Sequence, residues 1–358
     1  MQNLQVGFGI LLYLFPKVGH RALGASVWTS CMLLLFTQPD GHIQAADGRT
    51  SALIQNLRER AEKGDPESQH NLAMLYRKGD GVPKDYESAL KWYRRAADRG
   101  YAPSQVHLGM MYVTGKGVSR DSREAVPWFR KAAEQGDAQG QYNLASQLLK
   151  GEGVAADSSE GTEWMRKAAE QGHKDAEGDL GAMYLNGKGL VKDQSEGVRW
   201  LRKAAEHGNV EAASNLAAVY KKGEGVERSN EEAIRWFRRA AEGGDVRAQN
   251  NLGVFYAKGD GVQKDEAEAA KWFRMAAERG DAKSQRALAA LLLKKEGASA
   301  AEHVQAFMWA TLATKQGDSI APEVTRELTE KMTPEQIVEA YRLTRKFVPQ
   351  NDGEEESE

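Results

Sequence analysis

Ser88 and Lys91 stand one helical turn apart in Ser88-Ala89-Leu90-Lys91. This is the S-x-x-K spacing in which a lysine can activate a serine hydroxyl for acyl transfer. The rest of the chain does not build on it. At further intervals of 36 residues the serine position holds Glu124, Glu160, Glu196, Glu232 and Glu268, and the lysine position holds Pro127, Glu163, Arg199, Arg235 and Lys271. Both read as solvent positions of a repeated helix, and no K-T-G follows. Thr114-Gly115-Lys116-Gly117 echoes a phosphate-binding loop, but Gly109 lies one residue too far upstream and no Ser or Thr follows the lysine. His70, His107, His173, His207 and His303 show no metal-ligand spacing. No catalytic, metal-binding or cofactor-binding residue is therefore expected, and the chain reads as a non-enzyme.

The elements that would position these residues are set by a ruler. Trp92, Trp128, Trp164, Trp200, Trp236 and Trp272 are each 36 residues apart, and Trp309 follows one residue late. A fixed period of this size marks a repeat array. Leu72, Leu108, Leu144, Leu180, Leu216, Leu252 and Leu288 share the period, each followed by Ala or Gly. An aromatic column runs Tyr76, Tyr112, Tyr184, Tyr220 and Tyr256, interrupted by Leu148 and Leu292. A Gly-x-Gly-hydrophobe loop comes next, as in Gly79-Asp80-Gly81-Val82.

Each unit reads as two helices. Helix A of the first runs from Pro66 to Lys78, with Ser68, Leu72, Leu75 and Tyr76 on one stripe of a 3.6-residue period. Helix B runs from Glu87 to Arg99, with Ala89, Trp92, Tyr93 and Ala96 on its stripe. Asp85 is placed to cap helix B, Gly100 to end it in a left-handed conformation, and Asp65, Asp137, Asp245 and Asp281 to cap helices A. The loop glycines supply positive φ where the hairpin reverses, and the valine plugs back onto the helices.

The pattern resembles the Sel1-like repeat family, a relative of the tetratricopeptide repeat. The stretches that carry the resemblance read, in the sixth unit, Ala248 to Tyr256, Gly259 to Val262 and Asp265 to Phe273. The resemblance implies an all-α, right-handed α/α superhelical solenoid of about seven 36-residue hairpins and a role in assembling protein complexes, with no particular partner. A cysteine-rich branch staples each unit with a Cys pair. Here Cys31 is the only cysteine, so that branch's properties are not implied.

Binding residues are sought where the repeat varies. In related superhelices helix A lines the concave face. The positions equivalent to His70 and Met74 point away from the Leu/Tyr stripe and change from unit to unit. His70, Met74, Met110, Tyr142, Asn250 and Arg286 are the candidates for contact with a protein or peptide partner. The Asn71, Asn143, Asn215 and Asn251 column reads as a repeated structural hydrogen bond between units, with a ligand-gripping ladder as the alternative. The tryptophans read as core.

Five segments follow. Residues 51–64 form an N-terminal capping half-repeat, 65–317 the seven repeats, 318–348 C-terminal capping helices and 349–358 an acidic tail without apolar residues. Within 1–46, Lys17, His20 and Arg21 precede an apolar run that ends at small residues. This reads as a signal peptide cleaved after Ala45 or Ala46, or as an uncleaved signal anchor. A net charge of −2 leaves no electrostatic footprint for nucleic acid. A mature chain without cysteine suits an oxidising compartment. The expectation is a bacterial scaffold in the periplasm or secreted, touching the membrane only through an uncleaved N-terminus. A peptidoglycan-associated hydrolase or binding protein, and a membrane-anchored signalling regulator, are the alternatives.

Overall fold

The computed structural model describes residues 42–350. The body of the expected leader and the acidic tail lie outside the described residues. Within them there are seventeen helices and no strand. A single helix, α1 (His42–Glu62), is followed by seven hairpins. They are α2 (Pro66–Lys78) with α3 (Tyr86–Asp98), α4 (Ala102–Thr114) with α5 (Ser122–Glu134), α6 (Ala138–Lys150) with α7 (Ser158–Glu170), and α8 (Lys174–Asn186) with α9 (Gln194–Glu206). Next come α10 (Val210–Lys222) with α11 (Asn230–Glu242), α12 (Val246–Lys258) with α13 (Glu266–Glu278), and α14 (Ala282–Lys294) with α15 (Ala300–Lys315). Helices α16 (Ala321–Thr329) and α17 (Pro334–Lys346) close the array against α15. No helix among the described residues is long and apolar enough to cross a membrane.

Local chemistry explains the regularity. The side chain of Asp85 accepts from the backbone N–H of Glu87 and Ser88, and Asp121, Asp157 and Asp265 repeat the pair of bonds. Helix B therefore starts at Tyr86, one residue earlier than Glu87. Gly79 ends α2 at φ 80°, and the backbone N–H of Asp85 then returns to the carbonyl of Tyr76 at 2.8 Å, closing the loop. The second loop glycine is a packing residue. A Cβ on Gly153 would sit 2.3 Å from the carbonyl carbon of Ser122 in the preceding unit. α1 begins at His42 rather than Ser51, and α15 starts three residues ahead of His303, at a Ser299–Glu302 capping box.

The core is a spine of small and large side chains repeated at the unit period. Leu72, Leu108, Leu144, Leu180, Leu216, Leu252 and Leu288 are fully buried. The tryptophans divide into two groups. Trp200, Trp236, Trp272 and Trp309 are buried, whereas Trp92, Trp128 and Trp164 are half-buried, roofed by Arg95, Lys131 and Lys167 respectively.

Two polar columns tie the units together. Gln69, Gln105, Gln141, Gln249 and Gln285, all buried, donate Nε2 to the carbonyls of Ala61, Ala97, Ala133, Ala241 and Ala277 in the preceding helix B. In the second column Arg58, Arg94, Arg166, Arg202 and Arg238 donate to the phenol oxygens of Tyr76, Tyr112, Tyr184, Tyr220 and Tyr256. Where Leu148 removes the phenol, Arg130 turns to Glu160 of the next unit, at 2.5 Å. The expected asparagine ladder is not uniform. Asn251 accepts from Lys221 and Asn143 from Gln139, while Asn215 opens onto the surface described below.

Candidate functional site

Successive helices A touch one another, α4 with α6 and α12 with α14, and successive helices B do not to the same extent. The row of helices A therefore lies on the inner side of the stack.

The variable position held by His70 proves to be a latch between units. Nδ1 of His70 meets Ser104 Oγ at 2.9 Å, Ser214 donates to Asp245 at 3.2 Å, Asn250 donates to Ser284 Oγ at 2.7 Å, and Arg286 donates to Asp318 at 2.9 Å. In each pair the second residue stands at the start of the next helix but one, the first helix of the following unit or, for Asp318, of the carboxy-terminal cap. His70 is correspondingly buried, which corrects the expectation that it points to an open surface. It is packed between two helices A, with its ring edge-on to Tyr93 and Tyr101. Asn250 and Arg286 are half-buried and engaged, and Met74 is half-buried against the core of units one to three. Met110 stands in the open at 39% exposure.

Tyr142 differs from these. Its ring stacks on His173 at 4.7 Å and its hydroxyl donates to Asp179 at 3.2 Å. His173 caps α8: its Nδ1 accepts the N–H of Ala176, so Nε2 carries the proton that meets Gln139 Oε1 at 3.0 Å. One unit further on, the latch position is Gly178, which has no side chain to reach across. Here the inner face opens into a depression of about 160 Å³. Tyr142, Asp175, Gly178, Asp179, Ala182, Asn209, Glu211, Ala212 and Asn215 form its wall. Asn209, the cap of α10, donates Nδ2 to Asp175 at 2.7 Å.

The depression is acidic. None of Asp175, Asp179 and Glu211 is in an ion pair among the described residues. Asp179 reaches solvent at the rim, yet partial desolvation by its neighbours holds its carboxyl above the usual carboxylate range, with repulsion from Glu211 and Asp175 adding to it and the Tyr142 hydroxyl and Lys150 opposing it. Burial likewise raises the Tyr142 phenol. No group of histidines, cysteines or carboxylates among the described residues converges on a metal-binding geometry. An aromatic wall, three carboxylates and two amides suit a guanidinium or an ammonium group.

Of the six residues singled out from the sequence, only Tyr142 lines this depression. Asp175 and Glu211 share a column that carried no signal, and Asp179 and Asn215 belong to the column read as structural. The nucleophile-like Ser88 is occupied: its hydroxyl donates to Asp85 at 2.6 Å within the cap, and Lys91 is exposed.

The Sel1 repeat family model matches seven consecutive stretches, 66–101, 102–137, 138–173, 174–209, 210–245, 246–281 and 282–318. No curated protein matches the chain. Among solved structures, the chain is similar to c5321, described as a protective antigen present in uropathogenic Escherichia coli strains and displaying an SLR fold. The identity is 32% and the TM-score 0.73, over 82% of this chain and 64% of that one. It thus spans under two thirds of that relative's length. It is also similar to a Sel1 repeat protein from Oxalobacter formigenes, at 36% identity and TM-score 0.56, over 60% of this chain and 85% of that one. With seven matched units on a solenoid of helical hairpins, the chain belongs to the Sel1 repeat family.

Proposed function

We propose that this protein is a non-catalytic scaffold that holds a segment of a protein partner along the row of helices A, with a cationic side chain of that partner seated between Tyr142, Asp179 and Glu211. Sel1 repeats typically serve as interaction scaffolds rather than enzymes, and the chain presents an extended surface in place of a cleft. One observation carries the reading: Gly178 leaves a gap where His70, Ser214, Asn250 and Arg286 reach the next unit, and the gap is lined by three carboxylates that form no salt bridge among the described residues, with Lys150 acting on Asp179 only as the weakest of its neighbours. Met110, exposed on the same row, and Met74 beside it extend the contact toward the amino-terminal units with adaptable apolar surface. The scaffold works in the cell envelope, a reading supported by the basic and apolar residues 17–39 and by the absence of cysteine beyond Cys31.

Panning a random peptide library against the full chain tests the site. Peptides carrying Lys or Arg should be enriched, and the enrichment should vanish with Asp179→Asn combined with Glu211→Gln. Enrichment indifferent to those changes would reject the depression as the contact. The amino-terminal residue and cell fraction of the native protein test the envelope assignment, and a cytoplasmic chain retaining Met1 would overturn it.

A further inference from the structure

We propose that the junction between the first two units is an acid-labile joint: protonation of the facing imidazoles of buried His70 and half-buried His107 parts α2 from α4 and opens the amino-terminal end of the inner face. His70 comes from α2 and His107 from α4, and their ring centroids are 5.3 Å apart. Tyr93 of α3 stacks on His107 at 5.1 Å and meets His70 edge-on at 5.5 Å, and Tyr101 closes the other side of His70 at 5.3 Å. The Ser104 hydroxyl is the hydrogen-bond partner of His70. Two imidazoles thus share an aromatic box in which the Ser104 hydroxyl bonds His70 and the Tyr93 hydroxyl is buried.

The charges around the box oppose protonation. Arg77 of α2 acts on both rings, Lys78 of α2 acts on His107, and each imidazolium would repel the other. The Tyr93 phenol, from α3, is itself pushed up to about 12 by burial and supplies no negative charge. Asp65 and Glu67 act on Tyr101, not chiefly on either imidazole. Charged groups of α1 and α6 are not among those that act on the pair. Burial, reinforced by these cations, lowers His70 to about 3 and His107 to about 4.

The sign follows from linkage. Folded, both rings are neutral at pH 7. Released into water they take up protons near pH 6.5. A pair whose folded values lie below the unfolded ones favours the closed joint above about pH 6.5 and loses that advantage as the pH falls toward 4. Because two sites act together, the opening constant should rise about 500-fold between pH 7 and pH 5. Other latches in the same column do not titrate in this range: Ser214 and Asn250 hold the equivalent position further along.

The array itself supplies the control. Asn250 bonds Ser284 as His70 bonds Ser104, and Asn occupies the His107 position in four other units. Hydrogen exchange on the full chain, corrected for intrinsic rates, should show residues 66–114 losing at least tenfold protection at pH 5 relative to pH 7. Residues 246–294 should hold theirs. The double variant His70→Asn, His107→Asn should retain protection at both pH values. Protection of 66–114 that ignores pH, or that falls equally in the variant, would overturn the proposal. NMR titration of the wild-type imidazoles decides independently of how well the variant folds. Midpoints below about 5 for both rings support the joint, and a midpoint near 6.5 for either ring in the folded protein removes its basis.

Discussion

Gln135 donates Nε2 to Gln105 Oε1 at 2.7 Å, and Gln105 passes the chain on to the carbonyl of Ala97 at 3.2 Å. One buried amide thus serves both helices of its own unit and the last turn of the unit before. Gln171 with Gln141, and Gln316 with Gln285, repeat the arrangement. Replacing Gln105 by Leu removes both bonds, but Ala97 still accepts from the N–H of Gly100 and the exposed Gln135 amide still reaches the carbonyl of Lys131, so the cost should be about 1 kcal/mol in urea denaturation.

Two units depart from that column, with Ala213 in one and Glu177 in the other, and the second makes a prediction of the opposite sign. Glu177 stands where a glutamine would, accepting from His207 Nδ1 at 2.7 Å. An ionised carboxylate has no N–H to give the carbonyl of Ala169. Glu177→Gln supplies the donor and keeps an acceptor for His207, so a gain of about 1 kcal/mol is expected in the same assay. A loss of stability would show that the His207 contact outweighs the missing bond.

Gly178 should tolerate a side chain structurally and not functionally. A Cβ there meets Asn209 Nδ2 at 3.4 Å and Ala212 Cβ at 3.5 Å, ordinary contact distances on a helix. Gly178→Asn should leave stability unchanged or raise it by up to about 1 kcal/mol. It should also fill the depression and abolish capture of Lys- or Arg-bearing peptides.

Asp179 should behave as a residue kept at a cost to stability. Its carboxyl is raised by partial desolvation although it reaches solvent, so its ionised form disfavours the fold modestly, and the penalty is present above its unfolded titration range. Asp179→Asn, which can still accept from Tyr142, should raise the melting temperature at pH 7 while weakening cation binding. In the wild type, binding should fade on acidification at a higher pH than an ordinary aspartate would give. A lower melting temperature for the variant would contradict this.

Core substitutions should separate the two groups of tryptophans. Trp272 is buried, and Trp272→Ala should cost about 3–5 kcal/mol. Trp128 is half-buried beneath Lys131, and its truncation should cost clearly less. Gly153→Ala meets both a φ of 76° and the backbone of Ser122, so it should destabilise more than Gly136→Ala, where a Cβ meets nothing within 4 Å.

The period, the caps and the two-helix unit were legible because backbone geometry repeats its demands on residue type: aspartate before a helix, glycine at φ > 0, a tiny residue after the leucine. The glutamine column was equally periodic and went unread. A polar residue suggests surface, and its partner is a backbone carbonyl, which leaves no trace in residue types. The His70 column was misread for a related reason. Variation was taken for freedom, yet His70, Ser214, Asn250 and Arg286 vary while each still finds a partner at the head of the next helix but one. The depression at Gly178 needs three units to form, so no single-unit column could announce it. Tyr142 was visible as a member of the variable column. Asp175, Asp179 and Glu211 become a cluster only when α8 and α10 are side by side.

The latches and the glutamine bonds share a direction that bears on how the chain is made. Asp245 completes the cap of α12 and accepts from Ser214, and Gln249 of that same helix donates to the carbonyl of Ala241. In both bonds the partner is a residue already synthesised. A nascent helix A therefore emerges opposite a finished template that supplies a donor and an acceptor, and assembly can follow translation one unit at a time.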